Sequence, residues 1–383
     1  VRLAREPELL GHVVHVLVPA AGEVDEDDGL RAELAADLDR TREGVRGLER
    51  RDDPFRLAKL GEGRKRLGVG DAHILGPAHV PQPRVLGADA RIVEPGRDGV
   101  RLRDLAVFVR RGLFWQPARG WYSSRTDAQI EERHLIRAAA VLRSQAEGAV
   151  AIRHTAAVVL GLPLVRTDLG RVEIGTAGGA HGRTTKGARV TGVDLDQLAC
   201  VEVQVPGLGT LRSASPAWAV VGTAMSNNPL AALAAGDHAL RHGLCTRGEI
   251  AAALDAARGA TGVGQAREAL VHLEPKHESP GETLTAAVLR GSRWDFEPQV
   301  WQTVAGRSYR MDFANEELML AVEFDGQVKY VSPEVKEDEL AREEDLRSIG
   351  WDFVRVVWDD FEDERQIQRE VDDKATTRAR GLT

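Results

Sequence analysis

The sequence predicts an α+β (α/β) chain with two folded parts. A mixed α/β middle domain spans 99–265, and a C-terminal domain over 266–383 is ordered α-β-β-β-α-β around a mixed sheet. Three observations carry that reading. The run "SPGE" at 279–282 combines several helix-start signals. Three strand-like stretches, a charged helix and a last strand follow it. Residues 1–98 share neither pattern. At 383 residues the chain has room for two or three domains, each burying its own core.

From Val1 to Val107 there is no Ser, Asn, Cys, Met, Trp or Tyr, and only one Thr, one Phe and one Gln. Val, Arg, Asp, Gly, Ala and Leu dominate, as they would if GC-rich DNA were translated out of frame. Residues 1–98 therefore read as an over-extended start or a poorly ordered segment, with an unusual helical domain as the alternative. His12, His15, His73 and His79 of this region are not read as a metal site.

The texture changes beyond Asp98. "VFVRRGLFWQPARGWYSSR" (107–125) alternates apolar and basic residues around Pro117 and Gly120, as a short β-ribbon would. Its aromatics Phe114, Trp115, Trp121 and Tyr122 lie among Arg110, Arg111, Arg119 and Arg125, an interleaving suited to phosphate contact with stacking. A packed hairpin with a solvated basic face fits equally well. "DAQIEERHLIRAAAVLRSQ" then carries Ile130, Leu135, Ile136, Ala139 and Leu142 on one helical side, and "RHTAAVVLGLP" is a short helix ended by Gly161 and Pro163. "RVEIGTAGGAHGRTTKGARVTGVDL" (171–195) reads as two strands joined by a Gly-rich basic loop, in which Arg183, Lys186 and Arg189 are either phosphate contacts or a charged hairpin tip. Residues 229–257 read as a helix pair, with Gly243 as C-cap and Thr246–Glu249 as a capping box.

Charge separates these parts more sharply than the net −8 does. Residues 108–265 hold 17 basic and 12 acidic groups, whereas 266–383 hold 16 and 27. The middle is thus the candidate nucleic-acid face, and the acidic end suits a hard divalent cation better than phosphate. Cys200 and Cys245 stand without partners at metal-ligand spacing, so neither a zinc site nor a disulfide framework is indicated. No apolar run approaches the ~18–20 residues of a membrane span. The chain reads as cytoplasmic, without a membrane partner, and its oligomeric state is not legible.

In the C-terminal part, Ser279 caps a helix with Pro280 in its first turn and Glu282 reaching back. Strands follow at 296–304, 308–317 and 318–326, then a helix at 334–349 and a strand at 351–358. In "LMLAVEFDGQVKY" (318–330), Glu323 and Asp325 share one strand face at the end of an apolar run. Acids in that position lose hydration and repel each other unless a cation or a strong hydrogen-bond network offsets the cost. The network alternative uses backbone N–H groups, Lys329 or Arg310.

The set "SPGE…EPQV…RMDFANEELMLAVEFDGQVKY…REEDLRSIGWDFVRVVW" resembles the nuclease-like family related to the very-short-patch-repair endonuclease, in the PD-(D/E)XK superfamily. "RHTAAVVLGLP" and "LRSASPAWAVVGTA" make the middle region similar to the AbiEi-family antitoxin module, although no clear recognition helix stands near 60–110. The resemblance implies a restriction-endonuclease-like core. It also implies Mg²⁺ or Mn²⁺ at Asp312 and Glu323 with Glu282 as the helix acid, and catalytic roles for Asp312, Glu323, Asp325 and Lys329. DNA would be the partner, met by Arg110, Arg111, Arg119, Arg183 and Lys186, with Arg342 and Arg355 as weaker phosphate candidates. The superfamily's acid-x-Lys is Glu323-Phe324-Asp325 here. Two functions are therefore implied: a metal-dependent DNA endonuclease, or a non-catalytic DNA-binding antitoxin or repressor of a type IV toxin–antitoxin system, with a cognate toxin as partner.

Overall fold

The computed structural model describes residues 102–381, apart from 146, 179–181, 227 and 327–332, together with Ile92 and Glu94. Nearly all of the atypical segment 1–98, and Lys329, lie outside the described residues. The fold is α+β with mixed sheets.

Helix α1 (Leu102–Arg110) leads into a two-stranded ribbon, β1 (Trp115–Ala118) and β2 (Trp121–Ser123). The expected ribbon over 107–125 is thus shorter than its alternation suggested. Residues 107–110 finish a helix whose Leu105 and Phe108 pack with Phe114 in a small core of their own. Gly120, at φ 86°, makes the tight turn between the strands.

Helices α2 (Ile130–Arg143) and α3 (Arg153–Val159) contribute to the largest core, which also takes in Ile92. A six-stranded sheet, ordered β5-β6-β4-β3-β8-β7, backs them. Its strands are β3 (Val150–Ala151), β4 (Val172–Ala177), β5 (Arg183–Thr184), β6 (Ala188–Val193), β7 (Val201–Val205) and β8 (Gly209–Ser213). The two strands expected in 171–195 are β4 and β6, but they run parallel. The basic stretch between them is therefore no simple hairpin tip. It returns across the sheet edge and adds β5 outside β6.

Helices α4 (Pro216–Met225), α5 (Pro229–Arg241), α6 (Arg247–Ala256) and α7 (Val263–Leu270) complete this half. The Thr246–Glu249 capping box is formed, and Gly243 at φ 64° turns the chain between α5 and α6.

The C-terminal half carries α8 (Pro280–Leu289), β9 (Glu297–Val304), β10 (Arg307–Asn315), β11 (Leu320–Asp325), α9 (Pro333–Ser348), β12 (Asp352–Val357) and α10 (Glu364–Gly381). This is the order expected from the sequence, with α10 added behind it. The sheet runs β12-β11-β10-β9, with antiparallel β9–β10 and β10–β11 pairs and a parallel β11–β12 pair.

Both sheet faces are covered. Leu320, Val322, Val354 and Val356 pack against Leu284 and Val288 of α8 and Ile367, Val371 and Ala375 of α10. Ala321, Phe353 and Trp351 pack with Leu346 of α9 on the other side. Strand alternation explains the split. Val165 and Ala234 of the first half join the α8 side, so the two halves share a packed seam.

Candidate functional site

The site lies where β10 and β11 stop pairing. Their ladder runs from Asn315↔Leu320 to Phe313↔Val322, and the next step in that register sets Asp312 opposite Glu323. Beyond the ladder a side chain joins the strands, with Phe324 N–H donating to Asp312 Oδ2 at 2.9 Å. The faces of β10 also change at this residue. Met311 enters the core under α9, whereas Phe313 enters the core under α8. Across the sheet, Gln299 stands opposite Asp312 with a left-handed φ of 59°, a conformation that costs a non-glycine residue energy and tends to persist at functional sites.

Helix α8 brings the third acid. Ser279 Oγ accepts from Glu282 N–H at 3.2 Å, as a capping residue does. The Glu282 carboxylate, however, passes over the N-cap. Its Oε2 accepts from Glu278 N–H at 3.0 Å and from Gln299 Nε2 at 2.7 Å. Gly281 permits this approach, because a Cβ on it would lie 2.1 Å from the Phe324 ring. Phe324 is fixed in turn by Trp358 and Phe361, with ring centroids at 4.9 and 6.0 Å.

Two of the acids act on the third, Asp312. Burial is the main force raising the Asp312 carboxyl from its ordinary value to about 7, with the nearby Glu282 and Glu323 carboxylates adding to it. The Phe324 N–H and the Arg342 guanidinium pull the other way without winning. Glu323 is held by α9: Arg342 grips both of its carboxylate oxygens and donates a further bond to Arg310 O at 2.7 Å. Arg355, beside Glu323 in the parallel ladder, binds Glu339 at 2.6 Å and Glu343 at 2.7 Å. The two arginines considered as phosphate contacts are thus engaged by acids.

The donor set suits a hard divalent cation in kind, since it is all carboxylate oxygen. Asp312 Oδ1 and Glu282 Oε1 accept no hydrogen bond among the described residues. Arg342 occupies Glu323, however, and among the described residues no group of three or more His, Cys, Asp or Glu side chains is set closely enough to hold a metal as it stands. Asp325 is half-buried on the Glu323 side of β11, opposite Val357. Lys329 is outside the described residues.

The residues expected to meet DNA fall in two places. Arg110 ends α1 and Arg111 follows it, while Arg119 sits at the tip of the β1–β2 turn; all three are exposed. Arg183 on the edge strand β5 and Lys186 in the turn after it are exposed as well. The interleaved aromatics are mainly core: Phe114 and Trp121 are buried, and Trp121 Nε1 donates to Ser144 Oγ at 2.6 Å. Trp115 lies beneath Arg133 and Arg137, whose guanidinium carbons are 5.3 and 5.8 Å from its ring centroid.

Sequence reasoning missed Gln299, Gly281 and the grip of Arg342 on Glu323. Only the Pro298–Gln299 break in a strand pattern hinted at the first. An apolar cavity of about 220 Å³ between α6 and α7, lined by Ile250, Leu254, Leu270 and Val271, is separate from the acids. Among the described residues no helix is long and apolar enough to cross a membrane.

No family model matches the chain. Two uncharacterized proteins of Mycobacterium tuberculosis, MT2308 of strain CDC 1551 / Oshkosh and Rv2248 of strain ATCC 25618 / H37Rv, are each 32% identical to it over 155 residues. Those residues are 40% of this chain and 56% of each relative, so the chain spans about half the length of the curated relatives it matches.

Proposed function

We propose that the protein is a divalent-metal-dependent DNA endonuclease whose hydrolytic centre is Glu282, Asp312 and Glu323. One observation carries the reading: Asp312 sits where β10 and β11 stop pairing, beside the Glu282 and Glu323 carboxylates, and with burial their company raises its carboxyl to about 7. An architecture that presses acids together at a sheet end leaves a deficit of positive charge, and strongly shifted groups of this kind cluster at functional sites. The order of α8 to β12 and the resemblance of the "RMDFANEELMLAVEFDG" region to very-short-patch-repair-related nucleases support the same reading.

Asp312, through its open Oδ1, and Glu282, through its open Oε1, would hold Mg²⁺ or Mn²⁺, with Glu323 joining on release from Arg342. A bound cation of this type activates a water for attack on a phosphodiester and offsets charge on the phosphate. The chain's own residues prepare that chemistry. Gln299 and the Glu278 N–H aim Glu282, and the Phe324 N–H aims Asp312. Arg342, once freed, offers a planar pair of donors suited to a phosphate. Protons compete with the cation at Asp312, so cleavage should strengthen as pH rises through about 7. Arg110, Arg111, Arg119, Arg183 and Lys186 are the proposed contacts of the middle region with the DNA backbone.

A second reading has its own support. Arg342 already neutralises Glu323, and acid-x-Lys is replaced by Glu323-Phe324-Asp325. On that reading the domain is a degenerate nuclease fold within a DNA-binding antitoxin or repressor, with a cognate toxin as partner. Incubating the purified protein with supercoiled plasmid and Mg²⁺ or Mn²⁺, beside Asp312→Ala, separates the two. Nicking that needs both the metal and Asp312 supports the enzyme, and retention of DNA without cleavage supports the binder.

A further inference from the structure

We infer that Trp301, on the outer strand of the C-terminal sheet, is a stacking platform for an unpaired nucleobase of the strand that reaches the acid centre. The inference rests on the proposed nucleic-acid substrate and adds to it the position at which a base is held. Trp301 is 63% exposed on β9, the edge strand of the sheet. A single exposed apolar side chain needs no explanation by itself. What sets this one apart is how it is held and where.

Arg310 is its direct partner across the β9–β10 ladder, with the guanidinium carbon 5.6 Å from the indole centroid. That guanidinium is anchored in turn, donating to Glu278 Oε2 at 2.6 Å. The ring is thereby steadied on its strand while much of its surface remains in water, the preorganised state that lowers the entropic cost of stacking a ligand. Arg307, whose side chain is 71% exposed and pairs with Asp345 Oδ2 at 3.9 Å, stands on the same hairpin as a source of positive charge for a phosphate.

Position gives the ligand class. Along β9, Trp301 is two residues from Gln299, which bonds Glu282. Along β10, Arg310 is two residues from Asp312. Two strand residues span about 6.6–6.8 Å, so a base on Trp301 sits beside the acids rather than at a remote surface. A second chain of contacts makes the same link, from Trp301 to Arg310, to Glu278, and from the Glu278 N–H to Glu282. An aromatic face, a guanidinium against it and an exposed arginine nearby fit a base with its backbone phosphates, and stacking of this kind tolerates any base.

The test measures fluorescence anisotropy of a fluorescein-labelled single-stranded oligothymidylate with the full chain in EDTA, where no cleavage occurs. Wild type, Trp301→Ala, Trp301→Phe and Arg310→Gln are compared, with thermal melts to show that each variant is folded. Trp301→Ala should weaken binding about ten-fold or more, and Trp301→Phe should stay within a few-fold of wild type. Arg310→Gln, which removes the guanidinium that steadies the ring, should weaken binding several-fold. Equal binding by wild type and Trp301→Ala overturns the platform and leaves the endonuclease reading standing. Failure of the wild type to bind the oligonucleotide also overturns it, as does a Trp301→Ala effect confined to oligomeric state, which would mark β9 as a contact between copies. Trp301-dependent binding in a protein that never nicks plasmid would sink the endonuclease reading and keep the platform.

Discussion

Asp237 is a buried carboxylate and Asp312 a half-buried one, and they are surrounded in opposite ways. Asp237, on α5 at the seam between the halves, is 2% exposed and accepts from three donors: Glu274 N–H at 2.7 Å, His277 Nδ1 at 2.8 Å and Thr283 Oγ1 at 2.9 Å. Asp312 accepts one backbone N–H and faces two carboxylates. The first arrangement is complete and ties α5 to α8. The second is short of positive charge, although Arg342 is within reach. A buried acid that is fully satisfied is architecture; one held against its own kind is a candidate for chemistry.

Removing Arg342, the cation that α9 sets against Glu323, should have the largest effect on this contrast. Arg342→Met leaves Glu323 buried and unpaired, and should destabilise the protein by about 3–5 kcal/mol in EDTA, read by urea unfolding. Mg²⁺ or Mn²⁺ should recover part of that loss, because the freed carboxylate becomes a ligand. Unchanged stability with and without metal would argue against a shared cation site.

Asp312→Asn should act in the opposite direction. The folded-state value of Asp312, about 7, lies above its ordinary 3.8. The native state therefore keeps a proton that the unfolded chain has lost, and wild-type stability should fall as pH rises from about 4 to 7. The difference between wild type and Asp312→Asn isolates that slope. At pH 8 it should favour the variant by at most on the order of 4 kcal/mol. A variant less stable than wild type at pH 8 would contradict the repulsion of Asp312 by Glu282 and Glu323.

Asp237→Ala orphans three donors at once and should cost about 2–3 kcal/mol. The loss should be the same with or without metal, which marks this site as structural. The smallest effect is expected from Gly281→Ala. Its methyl group would meet the Phe324 ring at 2.1 Å, pushing α8 and Glu282 outward at about 1–3 kcal/mol. Its cost in metal affinity should exceed that of Gly264→Ala on α7, where an added Cβ meets nothing within 4 Å.

The sequence made local features legible and long-range ones much less so. Ser279, Pro280 and Glu282 announce α8 because capping is encoded within four residues. Period-two runs announce β9 to β12, and Gly243 with Thr246–Glu249 announces the α5–α6 turn. Helix α10 escaped because only Ile367, Val371 and Ala375 of its eighteen residues are buried, a thin stripe in a charged segment. The parallel β4–β6 pairing escaped because two short strands joined by a Gly-rich loop read as a hairpin until their partners are known. At the site, the acids were visible as residue types, and their approach rests on a change of strand face at Asp312. The grip of Arg342 spans 19 residues and was hidden, since an arginine in a charged helix looks like solvated surface.

The most direct test is a calorimetric titration of Mn²⁺ into the wild type and Asp312→Asn at pH 8, followed by the wild type at pH 6. One saturable site is expected in the wild type at pH 8, weaker by about ten-fold at pH 6 where Asp312 holds its proton, and absent in the variant. Binding that is unaffected by Asp312→Asn, or no binding in the wild type at all, would contradict that expectation.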